Sequence, residues 1–266
     1  MIAPPRLSTI LLAAITALVA VLLYSPLFVP IVSSFFPVAR GEVDWSSPTV
    51  ETYVALAGND EILSALRTTL VVGFCTVVLS VVGGTLLALY YHGRRAGRSA
   101  LQFIIFLPFL MPPIISGLAL LIFFREIGLE RSLLTVVIGH TAFVLAIVYR
   151  TVLTRLQSMS RTLIEASYDL GATKWQTFWR IILPNLSSAM VGGAILAFAL
   201  SFDETMITIL VTGTQTTLPV RLWAMMRLGF SPDINALVAL ILMFTVLLCA
   251  LAARFLVPRQ IATQRT

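Results

Sequence analysis

Six long apolar runs separated by short polar connections set the pattern of this chain; they fall at about 7–30, 62–91, 101–124, 133–149, 187–212 and 236–257. Most reach the roughly 20 residues that a helix needs to cross a hydrocarbon core. The polar-in, apolar-out alternation of a membrane β-barrel strand is missing from them. The predicted fold class is therefore an all-α integral membrane protein with six transmembrane helices. No solenoid-type repeat, low-complexity tract or linker divides the chain, so residues 1–266 are expected to form a single transmembrane domain. The first run outlasts a signal-peptide core and no small-x-small cleavage site leads into a polar sequence, so it is expected to be retained.

Two of the runs carry interruptions. Pro108, Pro112 and Pro113 remove hydrogen bonds from the third. A break there survives in lipid only where protein or a wet cavity satisfies the freed carbonyls, so it is either a pore-lining discontinuity or a packing kink. In the fifth run Ala189, Gly193, Ala197 and Ser201 make a ridge of small side chains that lets another helix approach closely. Asp203 and Glu204 follow it, an acidic pair inside a predicted span. Carboxylates at that depth face protein or water. They read as a translocation-path site for a cationic solute, together with Pro112 and Pro113, or as partners of Arg221, Arg227 or another subunit.

Charge orients the runs. At 58 % hydrophobic and 11 % charged residues, with mean hydropathy +0.97, the chain has too little charge to cover a soluble surface. Arg6, Arg94, Arg95, Arg98, Arg150, Arg155, Arg161, Lys174, Arg180, Arg254, Arg259 and Arg265 fall on one side of the predicted spans. Glu42, Asp44, Glu51, Asp60, Glu61, Glu126, Glu130 and Asp233 fall on the other. The positive-inside rule puts both termini and the fourth connection in the cytoplasm. The net charge of +6 then reflects topology and implies no nucleic-acid partner. Cys75 and Cys249 lie inside predicted spans, and His92 and His140 have no ligand-spaced companions, so no disulfide framework or metal site is indicated. Outside, Trp45 in the loop at 32–61 reads first as an interfacial anchor, with help in receiving a soluble partner as the alternative. Leu218-Pro219 starts a short outer helix that Gly229 could close, with Ser231-Pro232-Asp233 turning into the last span.

The connection at about 158–185 is the most patterned segment. Thr162-Leu163-Ile164-Glu165 has capping-box spacing and predicts a helix from Leu163. Gly171 stands where a left-handed residue ends that helix. Thr173-Lys174-Trp175-Gln176 repeats the capping spacing, and Trp175, Phe178, Trp179 and Ile182 form one apolar stripe of a second helix. Two capped helices around a glycine bend make a knob for a partner's groove. The simpler alternative is an amphipathic hairpin lying on lipid headgroups.

Within that segment Glu165-Ala166-Ser167, Gly171 and Ile181-x-Leu183-Pro184 fall at fixed offsets. This pattern resembles the EAA loop of bacterial ABC importer permeases, with Ser167 in place of the family's second alanine. The stretch from Ser201 to Ala236 is similar to the PotC-like, spermidine/putrescine branch, most specifically in SFDE, VTG, LP-x-R and SP-x-INA. The resemblance covers nearly the whole chain. It implies a type I importer permease (MetI-like) fold in the bacterial inner membrane, a homologous second permease subunit, two cytoplasmic ATPases and a periplasmic binding protein. ATP and Mg2+ would be used by the ATPases, because this chain has no phosphate loop; it is expected to be neither an enzyme nor a cofactor carrier.

By the same resemblance, Glu165, Ala166, Ser167, Asp169, Gly171, Ala172, Trp175, Phe178, Ile181, Leu183 and Pro184 form the ATPase-coupling surface. Glu165 would pair with a basic residue of the ATPase and Gly171 would shape the coupling helix. The implied solute is a polyamine, which acidic groups on the path would suit. Pro113 departs from the branch, which often has an acidic residue there, and relatives import opines, γ-aminobutyrate-like amino acids or organophosphonates. A self-sufficient ion-coupled carrier is disfavoured because no paired internal repeat is visible. An assembly subunit without transport fits the acidic pair and the broken third span less well.

Overall fold

The computed structural model describes residues 7–39, 42–93, 97–228 and 232–256. Arg6, Arg94, Arg95, Gly229, Ser231, Arg259 and Arg265, used above for orientation and for the outer turn, lie outside them. The chain forms two compact units: residues 1–60 with 224–249, and residues 61–223 with 250–266.

The first unit begins with α1 (Leu7–Ser33), which contains Pro26 and Pro30 and has no buried residue in its apolar window. Such a surface is compatible only with lipid or another protein around it. The chain turns back where the Ser34 and Tyr53 hydroxyls meet at 2.6 Å and Phe35 packs on Tyr53, with ring centroids 5.4 Å apart. A two-stranded antiparallel hairpin follows, β1 (Val38–Ala39) with β2 (Glu42–Val43), then α2 (Glu51–Ala57). Asp44 closes the turn after β2 by accepting from the Ser46 amide at 3.0 Å and the Ser47 hydroxyl at 2.8 Å. The Ser46 hydroxyl, which also donates to it, and then these two donors hold its carboxyl below the usual carboxylate range. Trp45, the expected anchor, is exposed and packs one edge on Phe36. The last helix of the chain, labelled α12 below, contributes its first part to this unit.

The second unit is built around α6 (Leu133–Ser158), which packs on α4 (Arg98–Leu110), α5 (Pro113–Glu126), α9 (Leu183–Asp203) and α10 (Met206–Val211). Its core gathers Val144, Val148, Tyr149, Val152 and Leu186, all fully buried. The small-residue ridge does what its spacing predicts: Gly193, Ala197 and Ser201 are buried, and a Cβ on Gly193 would lie 3.5 Å from the Val148 Cα. α3 (Asp60–Gly93) is the longest helix here, at 34 residues. Outside the predicted runs, the unit holds α7 (Arg161–Asp169), α8 (Lys174–Thr177) and the start of α11 (Leu218–Leu228), as far as Trp223; α12 spans Pro232–Leu256.

Several boundaries differ from the apolar runs. α6 continues nine residues past the expected end at Tyr149, because exposed Arg150 and Arg155 leave a buried face of Val152, Leu153 and Leu156 intact. The third run is two helices, α4 and α5, bent by 104°. The fifth is α9 and α10 with a break after Asp203, and α9 starts upstream of the apolar run as a continuation of α8. Among the described residues, four helices are long and apolar enough to cross a membrane, and the bent pair makes a fifth. The sixth run corresponds to α12, whose apolar described stretch is Ile234–Leu247.

The third-run break has a local cause. Pro112, at φ −53° and ψ 134°, is extended, and Pro113 opens α5. The Pro108 carbonyl, which the missing amide of Pro112 would otherwise serve, instead accepts from the Ser116 hydroxyl at 3.3 Å. In the connection after α10, Leu218 starts α11 with its amide on the buried Thr69 hydroxyl at 2.7 Å. Arg221 forms an ion pair with Glu61, and not with the acidic pair that the sequence offered it.

Candidate functional site

The patterned connection folds as two helices around a glycine bend. The first starts two residues earlier than Leu163: α7 runs from Arg161, and Ser160, not Thr162, is the N-cap, its hydroxyl accepting from the Thr162 amide at 3.3 Å. Met159 and Ser160 are extended after α6, so the first unpaired amides lie two residues before those of the Thr162 box. The helix ends as predicted. Gly171 has φ 78°, its amide donates to Tyr168 O at 2.8 Å, and the Ala172 amide reaches back to Ser167 O at 2.9 Å. This double bond pattern is the Schellman closure, which needs a left-handed residue at the bend.

The second helix starts with the predicted box. The Thr173 amide donates to Gln176 Oε1 at 2.8 Å and the Gln176 amide to Thr173 Oγ1 at 3.3 Å. α8 then passes into a π-helical turn, Phe178–Ile182, before α9 begins at Leu183. Pro184 lacks the amide that would serve Arg180, and the Leu183 amide bonds Phe178 O instead, widening the turn. The expected stripe of Trp175, Phe178, Trp179 and Ile182 is therefore bent: Trp175 and Trp179 are exposed, and Phe178 and Ile182 are half-buried.

The two helices are tied together by a bond the sequence did not announce. Ser167 is buried, with its hydroxyl 2.7 Å from Ile164 O and 2.9 Å from the Thr177 hydroxyl. Of the remaining loop residues, Glu165, Ala166 and Asp169 are exposed and Ala172, Ile181 and Leu183 half-exposed, with Pro184 exposed at the start of α9. Leu163, Tyr168 and Leu170 add exposed apolar surface along α7 and at its end, Leu170 at 88 % exposure. A carboxylate within a shelf of leucine and aromatic side chains suits a protein groove better than open water. The shelf is continuous with a membrane helix through α8, and Arg155 braces the junction by donating from Nε to Asn185 O at 3.0 Å.

The structure separates the acidic pair at the break between α9 and α10. Glu204 is buried and its Oε1 accepts from the Ile207 amide at 2.9 Å, so its carboxylate caps α10. Asp203, the last residue of α9, is exposed. α10 lies deep between α5 and α6: a Cβ on Gly117 would approach the Ile207 Cα to 3.1 Å, and one on Gly139 the Ile207 Cγ2 to 2.8 Å. Beside it an apolar cavity of about 270 Å3 is lined by Pro108, Met111, Ser116, Phe143 and Ile207, so the break in the third run opens onto the neighbourhood of the break in the fifth. Pro112 and Pro113 form the bend without lining that cavity. The Ser167–Thr177 bond and the Glu204 cap had no local sequence signal, because both depend on where a helix bends or breaks.

A membrane-embedded bundle with two broken spans, joined rigidly to an exposed two-helix loop, defines the permease subunit of an ABC importer. More particularly, the chain belongs to the family of binding-protein-dependent transport system inner membrane components, whose model matches residues 80–260. It is 35 % identical over 229 residues to the putrescine transport system permease protein PotI of Escherichia coli K12, covering 83 % of this chain and 81 % of the relative. It is 30 % identical to the spermidine/putrescine transport system permease protein PotC of the same organism, covering 85 % of this chain and 86 % of the relative. In fold it matches a chain of a bacterial ABC transporter involved in the import of the acidic polysaccharide alginate. That match has TM-score 0.70 at 17 % identity and covers 92 % of this chain and 93 % of the other. A chain of the MetNI methionine ABC transporter in an inward-facing conformation matches with TM-score 0.61 at 20 % identity, covering 78 % and 97 %. The chain is a multi-pass inner-membrane component.

Proposed function

We propose that this subunit forms one half of the path by which a polyamine, delivered by a periplasmic binding protein, enters the cytoplasm. The other half is a second, homologous permease subunit. Both termini and the α7–α8 loop face the cytoplasm, where two ATPases hydrolyse ATP with Mg2+ and grip the loop. One observation carries the coupling role. The exposed shelf around Glu165 is closed at both ends by caps and runs without a flexible link into α9, so a displacement of the loop moves a membrane helix. Glu165 supplies the charge that a basic residue of the ATPase meets, and Leu163, Leu170, Trp175 and Trp179 supply the apolar contact.

The named relatives support a polyamine as solute, and exposed Asp203 gives the path a carboxylate where a multiply charged cation loses hydration. Pro113, at a position where polyamine permeases often have an acid, favours a second reading in which the same machine imports an opine, a γ-aminobutyrate-like amino acid or an organophosphonate. The experiment is uptake by the complete transporter in vesicles with Glu165→Lys. Uptake is expected to fall at least about tenfold, with membrane insertion unchanged because the side chain is exposed. Wild-type uptake would refute the coupling role. A binding screen of the cognate periplasmic receptor against polyamines, amino acids and phosphonates decides the solute.

A further inference from the structure

The buried polar network around His140 has no part in the reading above, yet it bridges the break that presents Asp203. His140 projects from α6 and is only 1 % exposed. Its Nδ1 lies 2.8 Å from Ser201 Oγ, in the last turn of α9, and its Nε2 lies 2.8 Å from Thr208 Oγ1, in the first turn of α10. The Thr208 hydroxyl has a single proton and donates it to Glu204 O at 2.8 Å. Towards His140 it therefore accepts, which requires a proton on Nε2. A neutral ring then receives the Ser201 hydroxyl proton on Nδ1. Every donor and acceptor in this cluster has one partner, and the ring touches the chain on both sides of Glu204 and Thr205.

We propose that His140 is a positioning residue for transport: a strut of fixed length that sets the angle between α9 and α10 and thereby the direction in which Asp203 leaves the helix. The proposal rests on the reading of Asp203 as a path residue. Two further observations supply the rigidity that a strut needs. Gly117 and Gly139 let α10 seat so closely that its backbone has no room to slide. The Thr135 hydroxyl, on α6, holds the far end of α10 at Val211 O, 2.8 Å away. α10 is thus pinned at both ends to α6, and Ser201 is pinned to the same helix, so the break that carries Asp203 is held from both sides by one helix. Removing the ring leaves Ser201 and Thr208 each with one lost partner and leaves the bend angle undetermined.

The test uses the complete transporter in vesicles, with putrescine as probe, and a parallel set in a Cys75→Ala, Cys249→Ala background carrying Asp203→Cys. His140→Leu is expected to raise the KM for uptake about tenfold while Vmax changes less than twofold. Ser201→Ala and Thr208→Val, which each remove one bond and keep the ring, should each raise it by a smaller factor. Combining them should add nothing to His140→Leu. In the parallel set, His140→Leu, or Thr208→Val should the former fail to insert, is expected to change the rate at which a cationic thiol reagent modifies the introduced thiol by at least about threefold. An unchanged labelling rate in both variants overturns the proposal, as does a fall in Vmax with constant KM. Asp203→Asn is measured alongside: unchanged uptake kinetics in that variant refute the path reading itself, while the labelling rates still decide the strut.

Discussion

Ser167 and Gly171 show how much of the loop depends on single side chains. Gly171 has a left-handed backbone but nothing within 4 Å of where a Cβ would sit, so substitution there is limited by conformation alone. Gly171→Ala is expected to destabilise the loop by about 1 kcal/mol. Gly171→Asn, which tolerates this region better, should cost less. Uptake and the thermal stability of the purified complex should rank wild type, Asn, Ala; equal loss for Asn and Ala would show that a packing contact, not φ, matters. Ser167 is different, since its hydroxyl joins α7 to the Thr177 hydroxyl across the bend. A pattern reader sees a small residue exchanged for a small residue. The folded chain uses the added oxygen.

Helices break in this protein where a backbone group loses its helical partner and a side chain takes that partner's place. The Ser116 hydroxyl on Pro108 O and the Glu204 carboxylate on the Ile207 amide are the two instances, one at each broken span. Ser116→Ala is expected to leave the Pro108 carbonyl unsatisfied and to destabilise the complex by roughly 1–3 kcal/mol, the range for stranding a buried polar group. A melting curve of the detergent-solubilised transporter checks this, and a shift of under a degree would mean the carbonyl is satisfied otherwise. At the loop, the continuity of α8, the π turn and α9 is what would give the proposed ATPase partner a lever. The extra residue in that turn places Trp175 and Trp179 on a bent stripe, where a plain helix would have aligned them with Ile182.

At the scale of the whole molecule, much of the hydrophobic surface is outward. Leu12, Leu23 and Phe28 on α1 and Phe74 on α3 are all more than 60 % exposed. Such faces fit lipid or another apolar protein surface. The proposed orientation has its own test at this scale. In a Cys75→Ala, Cys249→Ala background, a thiol introduced by Trp175→Cys should be blocked by an impermeant reagent only in inverted membrane vesicles. Blocking in intact spheroplasts would put the loop outside and remove the ATPases from reach.

The apolar runs, the arginine bias and the offsets of Gly171 and the capping residues were enough to define an all-α membrane protein with a capped two-helix loop, because each is a local property of solvation or backbone geometry. A run of apolar residues partitions into lipid whatever its neighbours, and a Schellman glycine closes its own helix. Where those runs break was only partly legible: three prolines announced the bend at Met111–Pro112, whereas nothing near Asp203 announced the end of α9. The fate of the acidic pair was illegible altogether. Which carboxylate turns inward depends on an amide that is free only because α9 stops at Asp203 and α10 begins at Met206. That stop is held by a histidine more than 60 residues earlier in the chain, whose ring reaches Ser201 and Thr208 only once α6 and α9 have packed through Gly193 and Ala197. Contacts at such separations are set by the meeting of surfaces, and tertiary structure alone decides them.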